Sequence, residues 1–179
     1  MLIVIAGLVG AGKSTMARKV SERFSIPLHS IDDDKAETGK RYPQFQHWIE
    51  NSIPFPDEFR IEVFESTLKR LRELAKEHRH AIVEETFHKK AIREPFFEEA
   101  RKIFGGIILT FVETDEKFVE ERLEKRTEEE GHMVGYGMYL SFKSKFEPFE
   151  KIDYTFSNNE YFEKNLEEYL QFLRERLVL

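Results

Sequence analysis

The chain has 179 residues, a length typical of one globular domain with a single core. It contains no cysteine, which excludes disulfides, thiolate metal sites and cysteine nucleophiles. Its formal net charge of −6 makes bulk nucleic-acid binding a poor hypothesis. Because no apolar run approaches the roughly eighteen residues of a membrane span and no basic leader precedes the first run, we expect a cytoplasmic protein without membrane partners.

Five short apolar runs indicate buried strands, and helical patterns separate them along the chain. The runs cover residues 2–6, 26–31, 81–87, 106–112 and 153–156. Strands that alternate with helices pair in parallel, so the sequence predicts a three-layer α/β fold. We expect a five-stranded parallel sheet flanked by helices, within one domain over residues 1–179.

The first apolar run leads directly into GLVGAGKST, residues 7–15. Its glycines allow the backbone to turn its N–H groups toward phosphate oxygens, and the dipole of the following helix favours their negative charge. The motif therefore predicts a P-loop, and with it a P-loop NTPase fold. We expect the nucleotide to contact Gly7, Gly10, Ala11, Gly12, Lys13, Ser14 and Thr15. In this motif Lys13 contacts the β- and γ-phosphates, Ser14 binds Mg²⁺ and Thr15 lies near the α-phosphate.

Three carboxylates, Asp32, Asp33 and Asp34, follow the second predicted strand. The carboxyl edge of a parallel sheet faces the nucleotide crevice, where a carboxylate can accept a proton from a substrate hydroxyl. Strand alternation predicts that only one or two of the three face the site. The alternative is a solvated acidic turn that caps a helix.

An insertion at about residues 34–59 follows, and its three prolines and one glycine interrupt any long helix. Asp57 is a candidate cap for a helix that continues to about residue 78. The third strand ends in Glu84 and Glu85, and one of them is a candidate Walker B carboxylate for Mg²⁺. The sequence leaves open which of the two faces the metal.

Further helices are predicted over residues 92–104, from 114 or 115 to about 129, over 138–146 and over 160–178. Arg93 begins the first of them and is a candidate substrate contact. Arg122 and Arg126 lie four residues apart on one helix face, where guanidinium groups suit the charge on a transferring phosphoryl. The alternative is a set of exposed arginines paired with glutamates. A glycine-containing lid is expected at about 126–138.

Taken together, GLVGAGKST, HSIDDDK, IVEETFHKKAIRE, FVETDEKFVEERLEKR and YLSFKSKFEPFEKIDYTFSNN resemble the small P-loop kinases. These include zeta-toxin-like, polynucleotide 5′-hydroxyl and adenylylsulfate kinase-like proteins. The resemblance implies that Asp32, or next Asp33, is the catalytic base or a substrate contact, and that Arg122 and Arg126 stabilise the transferred phosphoryl. Two departures are an acidic, glycine-bearing lid and Glu84 at a position where aspartate is usual.

The expected function is transfer of the γ-phosphoryl of ATP, with Mg²⁺, to a hydroxyl of a small metabolite, nucleoside or nucleotide, with transfer to a phosphate as the second choice. The rival hypotheses are a nucleoside monophosphate kinase, a dephospho-coenzyme A kinase and a polynucleotide kinase. The IDADK-like stretch of dephospho-coenzyme A kinases is similar to IDDDK here. A rival of another class is a regulatory NTP-binding switch, although no NKxD sequence for guanine recognition is present. The acceptor, the base of the donor and the oligomeric state are left open.

Overall fold

A computed structural model describes residues 1–130 and 136–178, without the side chains of residues 126–130. Its strands are β1 (Leu2–Gly7), β2 (Leu28–His29), β3 (Ala81–Glu85), β4 (Ile107–Glu113) and β5 (Tyr154–Ser157). They form one parallel sheet in the order β2-β3-β1-β4-β5. The predicted five-stranded parallel sheet is confirmed.

Helices follow the strands and cover both faces of the sheet. They are α1 (Lys13–Phe24), α2 (Ile31–Gly39), α3 (Phe45–Glu50), α4 (Asp57–Glu77), α5 (Lys90–Phe104), α6 (Glu116–Glu130), α7 (Tyr136–Ser144) and α8 (Phe162–Leu177). The insertion after β2 therefore contains the short helices α2 and α3. Its prolines and glycine fall outside the interiors of these helices, as the sequence predicted.

The central strand β1 divides the hydrophobic core into two layers, because successive side chains of a strand point to opposite faces. Leu2, Val4 and Ala6 pack in the layer that holds α4 and α5. Ile3 and Ile5 pack in the layer that holds α1 and α8. All five are fully buried, so the strand is fixed from both sides. The carboxyl ends of the parallel strands consequently meet at one firmly held edge.

The segment after β2 differs from the prediction. A strand over residues 26–31 was expected, but β2 ends at His29 and α2 begins at Ile31. The Ser30 hydroxyl accepts a hydrogen bond of 3.2 Å from the N–H of Asp33, which caps the helix. The three aspartates therefore occupy the first turn of α2, where the helix dipole favours carboxylates.

The predicted cap of α4 was wrong by one residue. Pro56 occupies the N-cap position, and Asp57 is the first residue of the helix. The Asp57 carboxylate instead pairs with Lys89, 2.6 Å from its Nζ. This ion pair links the start of α4 to the loop after β3.

Candidate active site

The glycine loop between β1 and α1 has the backbone conformation that its sequence predicts. Gly10 and Gly12 have φ angles of 78° and 92°, which favour glycine. A Cβ atom on Gly12 would lie 2.1 Å from Nδ2 of Asn158, so a larger residue would clash. Gly12 is also the N-cap of α1 and provides no side-chain acceptor for the first-turn N–H groups. These N–H groups and the helix dipole favour an anion.

Lys13 is the buried cation of this loop. Its side chain is only 9% exposed, and its Nζ donates to the carbonyl oxygen of Leu8 at 3.1 Å. Burial lowers the pKa of Lys13 below its ordinary value, although the carboxylates of Glu84 and Glu85 oppose this shift. The ammonium group is therefore close to the carboxylates at the end of β3.

Ser14 and Glu84 contact each other across the edge of the sheet. The Ser14 hydroxyl donates to Oε1 of Glu84 at 2.7 Å, because the register of β1 and β3 places Glu84 opposite Ile5. Hydroxyl and carboxylate oxygens are ligands that Mg²⁺ prefers, and this ion commonly uses few protein ligands. The chemistry of the Ser14–Glu84 pair therefore fits this ion.

Glu85 points to the opposite side of β3 from Glu84, because strand residues alternate. It forms an ion pair with Lys35, which also contacts Oδ1 of Asp32 at 2.8 Å. Burial raises the pKa of Glu85, but Lys35 and the N–H of Thr86 overcome this effect and hold it near 2. Lys35 therefore bridges a carboxylate at the end of β3 to one on α2.

The three aspartates of α2 have different surroundings. Asp32 is exposed apart from its contact with Lys35, and Asp33 is exposed as well. Asp34 is buried, where it contacts His29 Nε2 and accepts from the Thr67 hydroxyl, both at 2.6 Å. Asp32 is thus the aspartate that Lys35 connects to the end of β3, and its charge also acts on Lys13 through space.

Arg122 lies against the glycine loop from the side of α6. Its Nη1 donates to the carbonyl oxygen of Gly10, and its Nη2 donates to Oδ1 of Asn158, both at 3.4 Å. Asn158 is buried and donates from Nδ2 to the carbonyl oxygen of Ala11 at 2.7 Å. Both residues therefore contact the loop backbone. The side chain of Arg126 lies outside the described residues.

Arg93 requires a correction, because it was predicted to contact the substrate. The residue is 1% exposed, and its guanidinium lies 4.1 Å from the centre of the Phe149 ring. Its terminal nitrogens donate to backbone carbonyls that belong to two segments of the chain. The acceptors are the carbonyl oxygens of Phe87, His88, Glu147 and Pro148. Arg93 thus holds these segments together and has no surface to offer a substrate.

Two further polar residues near Glu85 were missed by the sequence interpretation. Arg60 lies in the first turns of α4, and His88 follows β3. His88 is buried against Phe142, with ring centres 4.7 Å apart. Burial, together with the charge of Arg60, lowers the pKa of His88 to about 4. We refer to Asp32, Lys35, Arg60, Glu85 and His88 as the β3-side cluster.

A cavity of about 440 Å³ opens on the other side of the glycine loop, where β4 and β5 end. Leu8, Phe111, Val119 and Tyr139 supply apolar surface, and Asn158 is among the polar groups. Its walls combine loop residues, the start of α6 and the covering helix α7. The glycine loop therefore lies between the β3-side cluster and this cavity, which is on its β4 side.

Comparison with known proteins places the chain in a family. A family model described as an AAA domain matches residues 2–149, so the chain belongs to this family. An adenylate kinase from Caldicellulosiruptor bescii is 32% identical over 77 residues. That match covers 39% of this chain and 34% of the adenylate kinase, so the chain spans about a third of this relative's length.

Solved structures share the fold over nearly the whole chain. A gluconokinase from Sinorhizobium meliloti 1021 is similar with a TM-score of 0.74 and 22% identity, covering 98% of this chain and 94% of that one. A sugar kinase from Janibacter sp. HTCC2649 gives a TM-score of 0.74 and 20% identity, covering 96% and 93%. At such identities the likeness shows the fold alone.

These findings define the class of the protein. The fold, the glycine loop and the family match define a P-loop NTPase of the AAA-domain family. The predicted fold class is therefore confirmed, whereas kinase activity and the zeta-toxin-like, polynucleotide-kinase-like or adenylylsulfate-kinase-like subfamily stay predictions. No helix in the described ranges is long and apolar enough to cross a bilayer.

Proposed function

We propose that the protein transfers the γ-phosphoryl group of ATP to a hydroxyl of a small metabolite. The observation that carries this proposal is the adjacency of two arrangements at the end of β3. One is the Ser14–Glu84 pair beside Lys13. The other is the Lys35 bridge from Glu85 to Asp32. The first arrangement suits a phosphate and its metal, and the second suits a hydroxyl-bearing acceptor.

The donor half of the proposed site is the glycine loop with Lys13. The loop N–H groups and the Lys13 ammonium would neutralise the β- and γ-phosphates, and Thr15 would lie near the α-phosphate. Ser14 and Glu84 would hold Mg²⁺, which neutralises phosphate charge when bound. The cavity beside β4 supports placement of the nucleoside there, since it combines apolar walls with amide groups.

Two arginines on α6 belong to this half of the proposal. Arg122 already contacts the loop backbone at Gly10, so its charge lies near the proposed phosphate position. Arg126 is assigned from the resemblance alone. Guanidinium groups bind the equatorial oxygens of a transferring phosphoryl through paired hydrogen bonds.

The acceptor half of the proposed site centres on Asp32. An acceptor hydroxyl oxygen attacks the γ-phosphorus as the bond to the β–γ bridging oxygen breaks, and ADP leaves. The hydroxyl proton passes to the Asp32 carboxylate. The contact with Lys35 restrains this exposed carboxylate at the edge of the site, so orientation accounts for part of its effect.

Asp33 is a weaker candidate for the same role. It is exposed and lies one residue further along α2, so its side chain leaves the helix about 100° away from that of Asp32. Lys35 forms ion pairs with Asp32 and Glu85 but not with Asp33. The proposal therefore assigns the base to Asp32 and gives Asp33 at most a peripheral contact.

A second candidate is transfer to a phosphate, as in a nucleoside monophosphate kinase. The identity with an adenylate kinase over 77 residues favours it. The Asp32 carboxylate opposes it at the attacking group, since a doubly charged phosphate nucleophile would be repelled there, whereas a neutral hydroxyl would hydrogen-bond to the carboxylate. An anion elsewhere on the acceptor is not subject to this repulsion, because Lys35 and Arg60 supply cations in the same β3-side cluster.

A panel of acceptors tests the proposal. Purified protein is incubated with ATP and MgCl₂ and with sugars, sugar acids, polyols, nucleosides or nucleoside monophosphates, and ADP release is measured. At least one hydroxyl-bearing acceptor should raise ADP release well above ATP hydrolysis. If only monophosphates do so, the second candidate replaces the first. If no acceptor does, and ATP and ADP give different affinities for a partner protein, the regulatory switch replaces both.

A further inference from the structure

Arg60 is a half-buried cation whose hydrogen-bonding capacity is largely unused. Its Nε donates to the carbonyl oxygen of Phe55 at 3.0 Å, and its guanidinium carbon lies 5.4 Å from the centre of the Phe142 ring. Its two terminal nitrogens form no hydrogen bond or ion pair with the described residues. Burial lowers the pKa of Arg60, so its charge is held at a cost in hydration.

The carboxylates nearest to Arg60 are already paired with other residues. Glu85 forms its ion pair with Lys35, and Asp57 forms its own with Lys89. Both attract Arg60 through space, but neither lies within ion-pair distance of it. The carboxylates of Glu85 and Asp57 therefore favour the positive charge of the guanidinium. Its four terminal N–H groups can donate hydrogen bonds to a ligand.

Arg93 lies beside Arg60 but differs from it in its hydrogen-bond partners. Arg60 and Arg93 line one small cavity of about 10 Å³, space for about one water molecule. Arg93 is 1% exposed and its terminal nitrogens are occupied by backbone carbonyls. Arg60 keeps partial exposure and, within the described ranges, has one carbonyl partner, on its Nε. This difference leaves the terminal N–H groups of Arg60 available to a group from outside the chain.

The position of Arg60 relates it to phosphoryl transfer. Arg60 lines the same small cavity as Glu85 and His88, and its charge acts on both of them. Lys35 connects Glu85 to Asp32, the proposed acceptor base. Arg60 thus belongs to the same cluster as Asp32 but lies on a different element, α4. A ligand that reaches both must carry a hydroxyl at one end and an anion at another.

We propose that Arg60 binds an anionic group, carboxylate or phosphate, of the phosphoryl acceptor, so that the substrate is a hydroxy acid or a phosphorylated hydroxy compound. This proposal rests on the proposed function and gives its acceptor a chemical class. A planar guanidinium with free terminal N–H groups suits bidentate binding of either anion. The neutral His88 beside it adds a hydrogen-bonding group without a competing charge.

Matched acceptors test this proposal directly. Each skeleton is offered in three forms, such as glucose, gluconate and glucose 6-phosphate, or glycerol, glycerate and glycerol 3-phosphate. The quantity compared is kcat/KM for ADP release with the wild type, Arg60→Gln, Arg60→Lys and Arg70→Gln. Arg70 is an exposed arginine on the same helix and serves as the matched control. Preference for the acid over the phosphate, or the reverse, identifies the anion.

With the wild type we expect an anionic acceptor to exceed its neutral counterpart in kcat/KM. Arg60→Gln should lower kcat/KM for the anionic acceptor on the order of 100-fold, with less effect on the neutral one. Arg60→Lys should recover part of the loss, and Arg70→Gln should behave as the wild type.

Equal use of neutral and anionic acceptors by the wild type, or an unchanged preference in Arg60→Gln, would overturn the inference while the kinase assignment stands. Absence of turnover with every acceptor would instead contradict the proposed function. If Arg60→Gln does not fold, as judged by circular dichroism, the wild-type preference and the Arg60→Lys variant decide the question.

Discussion

The Ser14 hydroxyl donates a hydrogen bond of 2.7 Å to Oε1 of Glu84, joining the first turn of α1 to the end of β3. The neighbouring Glu85 faces the other way and pairs with Lys35. Two adjacent glutamates therefore serve two different halves of the proposed site. Their alternation along one strand makes the assignment testable residue by residue.

Glu84→Gln should weaken the apparent affinity for Mg²⁺ without unfolding the protein. The amide is a poorer metal ligand than the carboxylate, and Glu84 is only half-buried. We expect the Mg²⁺ concentration for half-maximal activity to rise about tenfold or more. Titration of activity with MgCl₂ at saturating ATP measures it. An unchanged Mg²⁺ dependence would remove Glu84 from the metal site.

Glu85→Gln is the matched substitution on the other side of β3. It leaves Lys35 without its buried carboxylate partner, and it weakens the contact with the N–H of Thr86. We expect a loss of about 2–3 kcal/mol in the free energy of unfolding, with unchanged Mg²⁺ half-saturation in the remaining activity. Urea unfolding and the same MgCl₂ titration separate the two glutamates. A Mg²⁺ effect equal to that of Glu84→Gln would show that the two sides are not distinct.

Lys13→Ala should abolish phosphate binding and leave the fold intact. The Lys13 ammonium donates to the carbonyl oxygen of Leu8, an interaction whose loss costs little in stability. We expect activity to fall by roughly 10³-fold. Binding of a fluorescent ATP analogue and circular dichroism provide the two readouts. Wild-type turnover in this variant would mean that the glycine loop is not the active site.

Asp32→Asn should lower kcat by roughly 10²- to 10⁴-fold with a modest change in nucleotide affinity. The amide keeps the shape of the side chain but cannot accept the acceptor proton. Asp33→Asn is the control, because Asp33 is exposed and the ion pair with Lys35 belongs to Asp32. Steady-state kinetics of both variants measure the effect. If Asp33→Asn causes the larger loss of kcat, the catalytic base is Asp33 and not Asp32.

His88 predicts how stability depends on pH. Its pKa is about 4 in the folded protein and about 6.5 in an unfolded chain, so the unfolded state takes up the proton first as pH falls. Stability should therefore decrease from about pH 6.5 down to pH 4, by up to about 3 kcal/mol from this residue. The groups that act on it are Arg60, Glu85, Lys89 and Asp57.

Urea unfolding at several pH values measures this effect, with His88→Gln as the control. The unfolding free energy of the wild type minus that of His88→Gln should decrease as pH falls from 6.5 to 4. A constant difference across this range would show that His88 titrates normally in the folded state.

The sequence predicted the sheet and the glycine loop because both depend on local patterns. Apolar runs as short as residues 2–6 are strong signals when a glycine motif follows. The second strand was predicted too long, because Ser30 ends it by capping α2. Ser30, then Ile31 and three aspartates, form a recognisable helix start, because a serine N-cap precedes acidic residues of the first turn. This signal could have placed Asp32 in the first turn of α2.

The remaining site residues required three-dimensional contacts. Glu84 and Glu85 are equivalent in sequence until the register of β1 and β3 is known. Arg93 and Arg60 are both arginines near the start of a helix, and only the partners of their terminal nitrogens among the described residues distinguish them. Asn158 contacts Ala11 across 147 positions of the chain, a pairing that no local pattern encodes.

The central claim is transfer of a phosphoryl group from ATP to a hydroxyl, and the phosphorus product tests it most directly. Phosphorus-31 NMR of a reaction with ATP, MgCl₂ and the best acceptor of the panel distinguishes the possible products. We predict a new phosphate monoester signal that grows in equal amount with ADP. Transfer to a hydroxyl would be contradicted if inorganic phosphate were the only product besides ADP, or if the new signal were that of a phosphoanhydride.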